Sequence, residues 1–101
     1  MNNRLGTLGL CRRAGKLVIG FDAVVGEVKA PGTRVSGVLL ASDLSDKTKK
    51  EVRYECGRAQ VKVTEIPETL DELKTITGKR AGVIAVLDDG LYGSITKTII
   101  H

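Results

Sequence analysis

Apolar positions along this chain alternate between two rhythms, one of three to four residues and one of two or fewer. Leu5, Leu8, Cys11 and Ala14 recur every third residue and lay one stripe on a helix from about residue 3 to 14. Gly15 follows the last stripe residue, where a left-handed cap favours glycine. Leu17, Val18 and Ile19 form a short strand. Gly20 then permits a sharp turn into a second helix carrying Val24, Val25 and Val28, which stops near Pro31-Gly32. The run from Gly37 to Ala41 is too short and too uniformly apolar for a surface helix, and predicts a buried central strand.

Ser45 caps a third helix, with Asp46 near its positive end. Val52 and Cys56 turn inward on it, Lys47, Lys49, Lys50 and Arg53 are solvated, and Gly57 ends it. Val61 and Val63 alternate with polar residues, as in a strand with one covered face. Thr69 or Glu68 opens a fourth helix through Leu70, Leu73 and Ile76. Ala81 to Leu87 reads as a second buried strand. A last helix from about Asp88 carries Leu91, Ile95 and Ile99 at helical spacing. Helix and strand in alternation, closed by a helix, predict an α/β fold, a three-layer α/β/α sandwich. No repeat, linker or low-complexity stretch interrupts the pattern, so residues 1–101 are expected to form a single domain.

Composition narrows the class. An apolar content of 42% can build a core at this size without disulfides or metals. Cys11 and Cys56 have no metal-ligand spacing and read as reduced, semi-buried thiols. No apolar run approaches the roughly 20 residues of a membrane span. The start, Met1-Asn2-Asn3-Arg4, leads into a stretch broken by glycine and arginine, unlike a signal peptide. The expectation is a cytoplasmic protein with no membrane partner.

Charge is more informative in its distribution than in its total of +4. Residues 1 to 16 hold Arg4, Arg12, Arg13 and Lys16 without an acid, a surplus equal to the whole net charge. A second acid-free stretch follows Glu72, includes Lys74, Lys79 and Arg80, and ends at Asp88. Localised positive charge attracts polyanions and speeds their capture. Phe21, Tyr54 and Tyr92 are the only aromatic residues besides His101, too few and too dispersed for a base-stacking platform. If RNA is the ligand, phosphates, backbone shape and a few base edges carry recognition.

Catalysis finds little to work with. The single histidine, His101, is the last residue, where mobility spoils positioning. Asp43 with Asp46, and Asp88 with Asp89, stand where helices start, and capping explains them better than acid–base chemistry. Cys11 lies on the core stripe with no base beside it. No catalytic residue, metal or cofactor is therefore expected.

The strongest candidate site is the segment from Gly15 to Val24. Gly20 leaves backbone N–H groups exposed at the start of the second helix, where phosphate binds with help from the helix dipole. Lys16, one short strand earlier, adds a full charge. The plain alternative is that both glycines are turn residues and Lys16 is merely solvated. A P-loop does not fit, because that motif needs its Lys and Ser or Thr at the helix start.

Gly15-Lys16, a short apolar strand, then Gly20 and a helix beginning Phe21-Asp22-Ala23-Val24 resemble the signature of the seven-Ae and thirty-e ribosomal protein family, and more closely its small bacterial members. The resemblance runs in element order from about Leu5 to Leu87, and includes Val38 to Asp43, Asp71-Glu72-Leu73 and Gly78-Lys79. It implies a thirty-e-like α/β/α sandwich on a mixed four-stranded sheet that grips kink-turn RNA. Lys16 would meet phosphate, Gly20 would let the backbone approach, and Phe21 and Asp22 would lie against the groove. Ile76-Thr77-Gly78-Lys79-Arg80 would form the second jaw, placing both acid-free stretches on one edge.

Two departures stand out. Many members have Asn-Glu where this chain has Asp22-Ala23, and Asp22 can only accept hydrogen bonds, whereas an asparagine amide also donates. Lys74 stands where the family often has glycine. Phe21 can stack on a base or pack against its own domain, and packing is the commoner fate of a lone aromatic near a helix start. The resemblance thus implies a non-catalytic, monomeric binder of kink-turn or ribosomal RNA, associated with translation or the ribosome. The rivals are a protein-interaction adaptor on the same fold and a substrate-recognition module like those attached to RNA methyltransferases.

Overall fold

The computed structural model describes residues 3–97, so the expected Ile99 position of the last helix and the terminal His101 lie outside the described residues. The elements follow in the order α1 (Asn3–Arg13), β1 (Leu17–Ile19), α2 (Phe21–Lys29), β2 (Gly37–Leu40), α3 (Asp46–Ala59), β3 (Lys62–Glu65), α4 (Leu70–Thr77), β4 (Val83–Val86) and α5 (Asp89–Thr96). The four strands form one mixed sheet in the order β1-β4-β2-β3. β4 runs antiparallel to both β1 and β2, while β2 and β3 are parallel.

Strand side chains alternate between faces, so the apolar runs of β2 and β4 feed two cores at once. Leu39, Ile84 and Val86 join Leu8 and Cys11 of α1, Leu73 of α4, and Tyr92 and Ile95 of α5. Val38, Leu40, Val83 and Ala85 join Val24 and Val28 of α2 and Val52 and Cys56 of α3 on the other side. A mixed sheet covered by helices on both faces is the expected α/β/α sandwich.

Several local expectations need adjusting. Gly57, expected to end the third helix, lies inside α3, which continues until Ala59 has packed against the core. Gln60 takes the left-handed conformation instead, its N–H donating to the carbonyls of Cys56 and Gly57. Ala14 is exposed in the turn after α1, so the stripe ends at Cys11. Lys49, expected to be solvated, reaches back to Glu65 at 2.8 Å and to the Ser42 carbonyl at 3.0 Å. Both cysteines are fully buried and free.

Helix starts and close approaches fix the loops. Thr69 and Glu72 form a reciprocal capping box on α4, which settles the choice of cap in favour of Thr69. Glu68, just before it, is buried and receives a two-pronged bond from Arg4 at 2.9 and 3.0 Å, tying α1 down. Gly82 sits so tightly against Ala41, Leu44 and Leu70 that a β-carbon there would come within 2.6 Å of the Leu70 side chain. The turn before β4 is thereby clamped to the loop after β2, where Ala41 N–H also donates to the Gly82 carbonyl.

Candidate functional site

β1 is one of the two edge strands of the sheet and pairs on one side only, with β4. At the end of β1, Gly20 adopts φ 105° and ψ 148°, a backbone region open only to glycine, and its N–H donates to the Val83 carbonyl at 2.9 Å. That bond fastens the start of α2 to the start of β4. The turn 78–82 runs into the same end of the sheet.

The start of α2 differs from the other helix starts that follow it. Ser45 accepts from Thr48 N–H, Thr69 from Glu72 N–H, and Asp88 from Leu91 N–H. Gly20 has no side chain to offer, and α2 has no side-chain cap. Its first N–H groups therefore have no side-chain acceptor at the cap position, with the positive end of the dipole behind them. Asp22 is exposed in this first turn and presents acceptor oxygens only. Phe21 is half-buried and packs against the α2–α3 core, which fits the packing alternative.

The opposing turn is held from within. α4 ends at Gly78, at φ 78°, whose N–H closes onto the Lys74 carbonyl. Thr77 is buried, and its hydroxyl lies 3.2 Å from the Leu73 carbonyl and 2.7 Å from that of Lys79. Thr77 thus pins the turn, while Lys79 projects into solvent. Arg80 is also exposed, but its guanidinium donates to Asp71 at 2.9 Å, which offsets part of its charge. Ile76 is half-buried and packs its side chain against the core.

The two acid-free stretches do meet. Arg12 of α1 donates to the Ile76 carbonyl at 2.9 Å, and the end of its guanidinium comes beside Gly78. Arg12 was legible as part of a basic segment, but nothing in its spacing revealed a bond across 64 positions. Thr77 was named only as part of the expected second jaw, since a threonine at a helix end carries no signal that it locks the following turn.

Lys16 is placed apart. Its carbonyl accepts from Leu87 N–H at the opposite end of β1 from Gly20, about 13 Å away at the usual strand rise. Gly15, at φ 70°, closes the end of α1 with its N–H on the Arg12 carbonyl. Gly15 and Lys16 therefore lie at the other end of β1 from Gly20.

The other candidate chemistry is structural. Asp43 accepts from Leu70 N–H at 2.9 Å and Asp88 from Leu91 N–H at 2.8 Å, so both serve helix starts. Burial pushes the Cys56 thiol up to about 11, with Glu55 adding to the effect. Burial, then the charge of Asp88, raises that of Cys11. Both thiols stay protonated and poorly nucleophilic at neutral pH. Among the described residues no group of three His, Cys, Asp or Glu could hold a metal ion, and no helix is long and apolar enough to cross a membrane.

Comparison with known proteins gives a consistent pattern. No family model matches the chain. A protein of Bacillus subtilis strain 168 named RNA-binding protein YlxQ is 38% identical over 89 residues, covering 87% of this chain and 86% of the relative. A protein of the same name from Enterococcus faecium is 29% identical over 94 residues, covering 93% and 87%. Among solved structures, a protein of unknown function from Bacillus halodurans superposes with a TM-score of 0.85 at 32% identity, covering 96% of both chains.

Proposed function

This chain belongs to the family of the bacterial RNA-binding protein YlxQ, and from that premise we propose that it is a non-catalytic RNA-binding protein whose target is a kink-turn or a similarly bent RNA. The observation that carries the reading is the meeting of two elements at one end of the sheet. The uncapped start of α2 is bonded through Gly20 to the start of β4, beside the turn that carries Lys79. Uncapped N–H groups suit phosphate oxygens, and Lys79 and Arg12 add cations at the neighbouring turn.

Bent RNA fits better than a single strand. The edge presents few aromatic surfaces, since Phe21 is committed to packing and Tyr92 is buried. Recognition must then read backbone shape, as proteins do with structured RNA. The wider group of seven-Ae and thirty-e ribosomal proteins uses this same pair of elements, according to the resemblance carried by Gly15-Lys16, Gly20 to Val24 and Gly78-Lys79. We extend the assignment to that group, with a monomer acting in the cytoplasm on ribosomal or other translation-associated RNA.

Calorimetric titration with a kink-turn RNA and a straight duplex, each at two salt concentrations, tests the reading. The kinked RNA is expected to bind more tightly, with affinity falling as salt rises. Lys79→Glu should weaken binding for every sequence alike and flatten the salt dependence by about one counterion. Equal affinity for the straight duplex would reduce the interaction to charge attraction. No binding to either RNA would instead favour a protein-interaction adaptor on this fold.

A further inference from the structure

The solvent side of α3 carries a second feature that the β1 edge does not use. Lys47, Lys50, Tyr54 and Arg58 fall on one face of the helix at spacings of three and four residues, and all are exposed. Tyr54 is 64% exposed, one of two large apolar side chains left in solvent among the described residues. Arg58 lies over its ring, 5.8 Å from the centroid, within the range of a cation–π contact.

The neighbouring charges on α3 are already engaged. Lys49 and Arg53 both reach Glu65, at 2.8 and 3.4 Å, and Glu55 faces Lys29 at 3.9 Å. Lys47, Lys50 and Arg58 form no ion pair among the described residues. Glu51 lies beside this face and lowers its charge, but three cations still outnumber it. Next to Arg58, a cleft of about 560 Å³ opens between the last turns of α2 and α3, with Lys29, Thr33 and Glu55 in its lining. That volume is within the range of small-ligand sites, about 300–1,000 Å³. Arg58 belongs to both the cleft and the stacked pair, which joins them into one surface.

We propose that this surface is a second RNA contact, which takes the backbone of a single-stranded flank on Lys47, Lys50 and Arg58 and one unpaired base on Tyr54 at the mouth of the cleft. The proposal rests on the RNA-binding reading above and deepens it. An RNA is favoured because the surface combines cations that have no acidic partner with one exposed aromatic side chain, the two contacts that track single strands. From Lys47 to Arg58 the face is about 16 Å long. α2 stands between it and the β1 edge, so a compact kinked hairpin gripped at that edge stops short of α3. Only an RNA that continues past the bend reaches both.

Fluorescence anisotropy on the full chain separates the two sites. The probes are a minimal kink-turn hairpin and the same hairpin with a single-stranded tail. The wild-type protein should bind the tailed RNA about tenfold more tightly, the scale of one base stacked on an aromatic ring. Tyr54→Ala and Lys50→Glu, both surface changes, should each lose most of that gain while keeping the affinity for the minimal hairpin. Lys79→Glu should weaken both probes equally. The proposal is overturned if the tail adds nothing to wild-type binding, or if both α3 variants hold the tailed RNA as the wild type does. In either case the Lys79→Glu result still reports independently on the β1 edge. Absence of binding to both probes would sink the two readings together.

Discussion

Under the proposed function, Asp22 is the residue expected to set specificity. It stands exposed in the first turn of α2, where its charge suits the helix dipole but repels phosphate. An amide at this position could both accept from and donate to a base edge, which the carboxylate cannot. Asp22→Asn should therefore tighten binding to kink-turn RNA and sharpen discrimination against a straight duplex by about 1–3 kcal/mol. Paired titrations of the two proteins would show it, and unchanged discrimination would move the base contacts elsewhere. Gly20 was legible because a glycine between a strand and a helix signals an unusual backbone, and its φ of 105° meets that expectation. The distance between Lys16 and Gly20 was not legible as separation. Nearness in sequence becomes remoteness when the intervening residues are extended.

Element placement depends on contacts that the sequence pattern does not display. Arg4 of α1 reaches Glu68, a carboxylate only 2% exposed, across 64 positions. Removing the cation takes the two-pronged bond from a buried carboxylate, so Arg4→Ala should destabilise the protein by about 3–5 kcal/mol in urea unfolding. A loss below 1 kcal/mol would mean that water reaches the carboxylate. Glu65 ties α3 to β3 more gently, at the surface. Hydrogen bonds from Lys49, together with the charges of Lys49 and Arg53, hold its carboxyl below the ordinary value of 4.5. A lowered carboxylate stabilises the fold above that value, and the contribution fades as pH falls through the lower folded one. Glu65→Gln should thus be less stable than wild type at neutral pH, with the gap in urea midpoint closing in acid. Helices and strands themselves were readable from apolar period and turn residues. Their ends shifted where packing overrode a local signal, as when Ala59 found the core and carried α3 past Gly57.

At the scale of the whole molecule, one sheet with two cores presents two differently equipped surfaces. The α2 start is bonded to the start of β4, just after the turn 78–82 that Arg12 reaches from α1, while the outer face of α3 holds cations and Tyr54. The alternation of elements foretold the sandwich, but the strand order β1-β4-β2-β3 came only with the structure, since right-handed crossovers constrain order without fixing it. That order is what brings Gly20 and Lys79 to one end. Titration of the 15N-labelled protein with a minimal kink-turn RNA, followed by amide NMR, tests this most directly. The amides of Gly20 to Ala23 and Gly78 to Gly82 should shift together and saturate at one equivalent of RNA. Shifts confined to α5 and the far end of the sheet, with those two segments silent, would contradict the account.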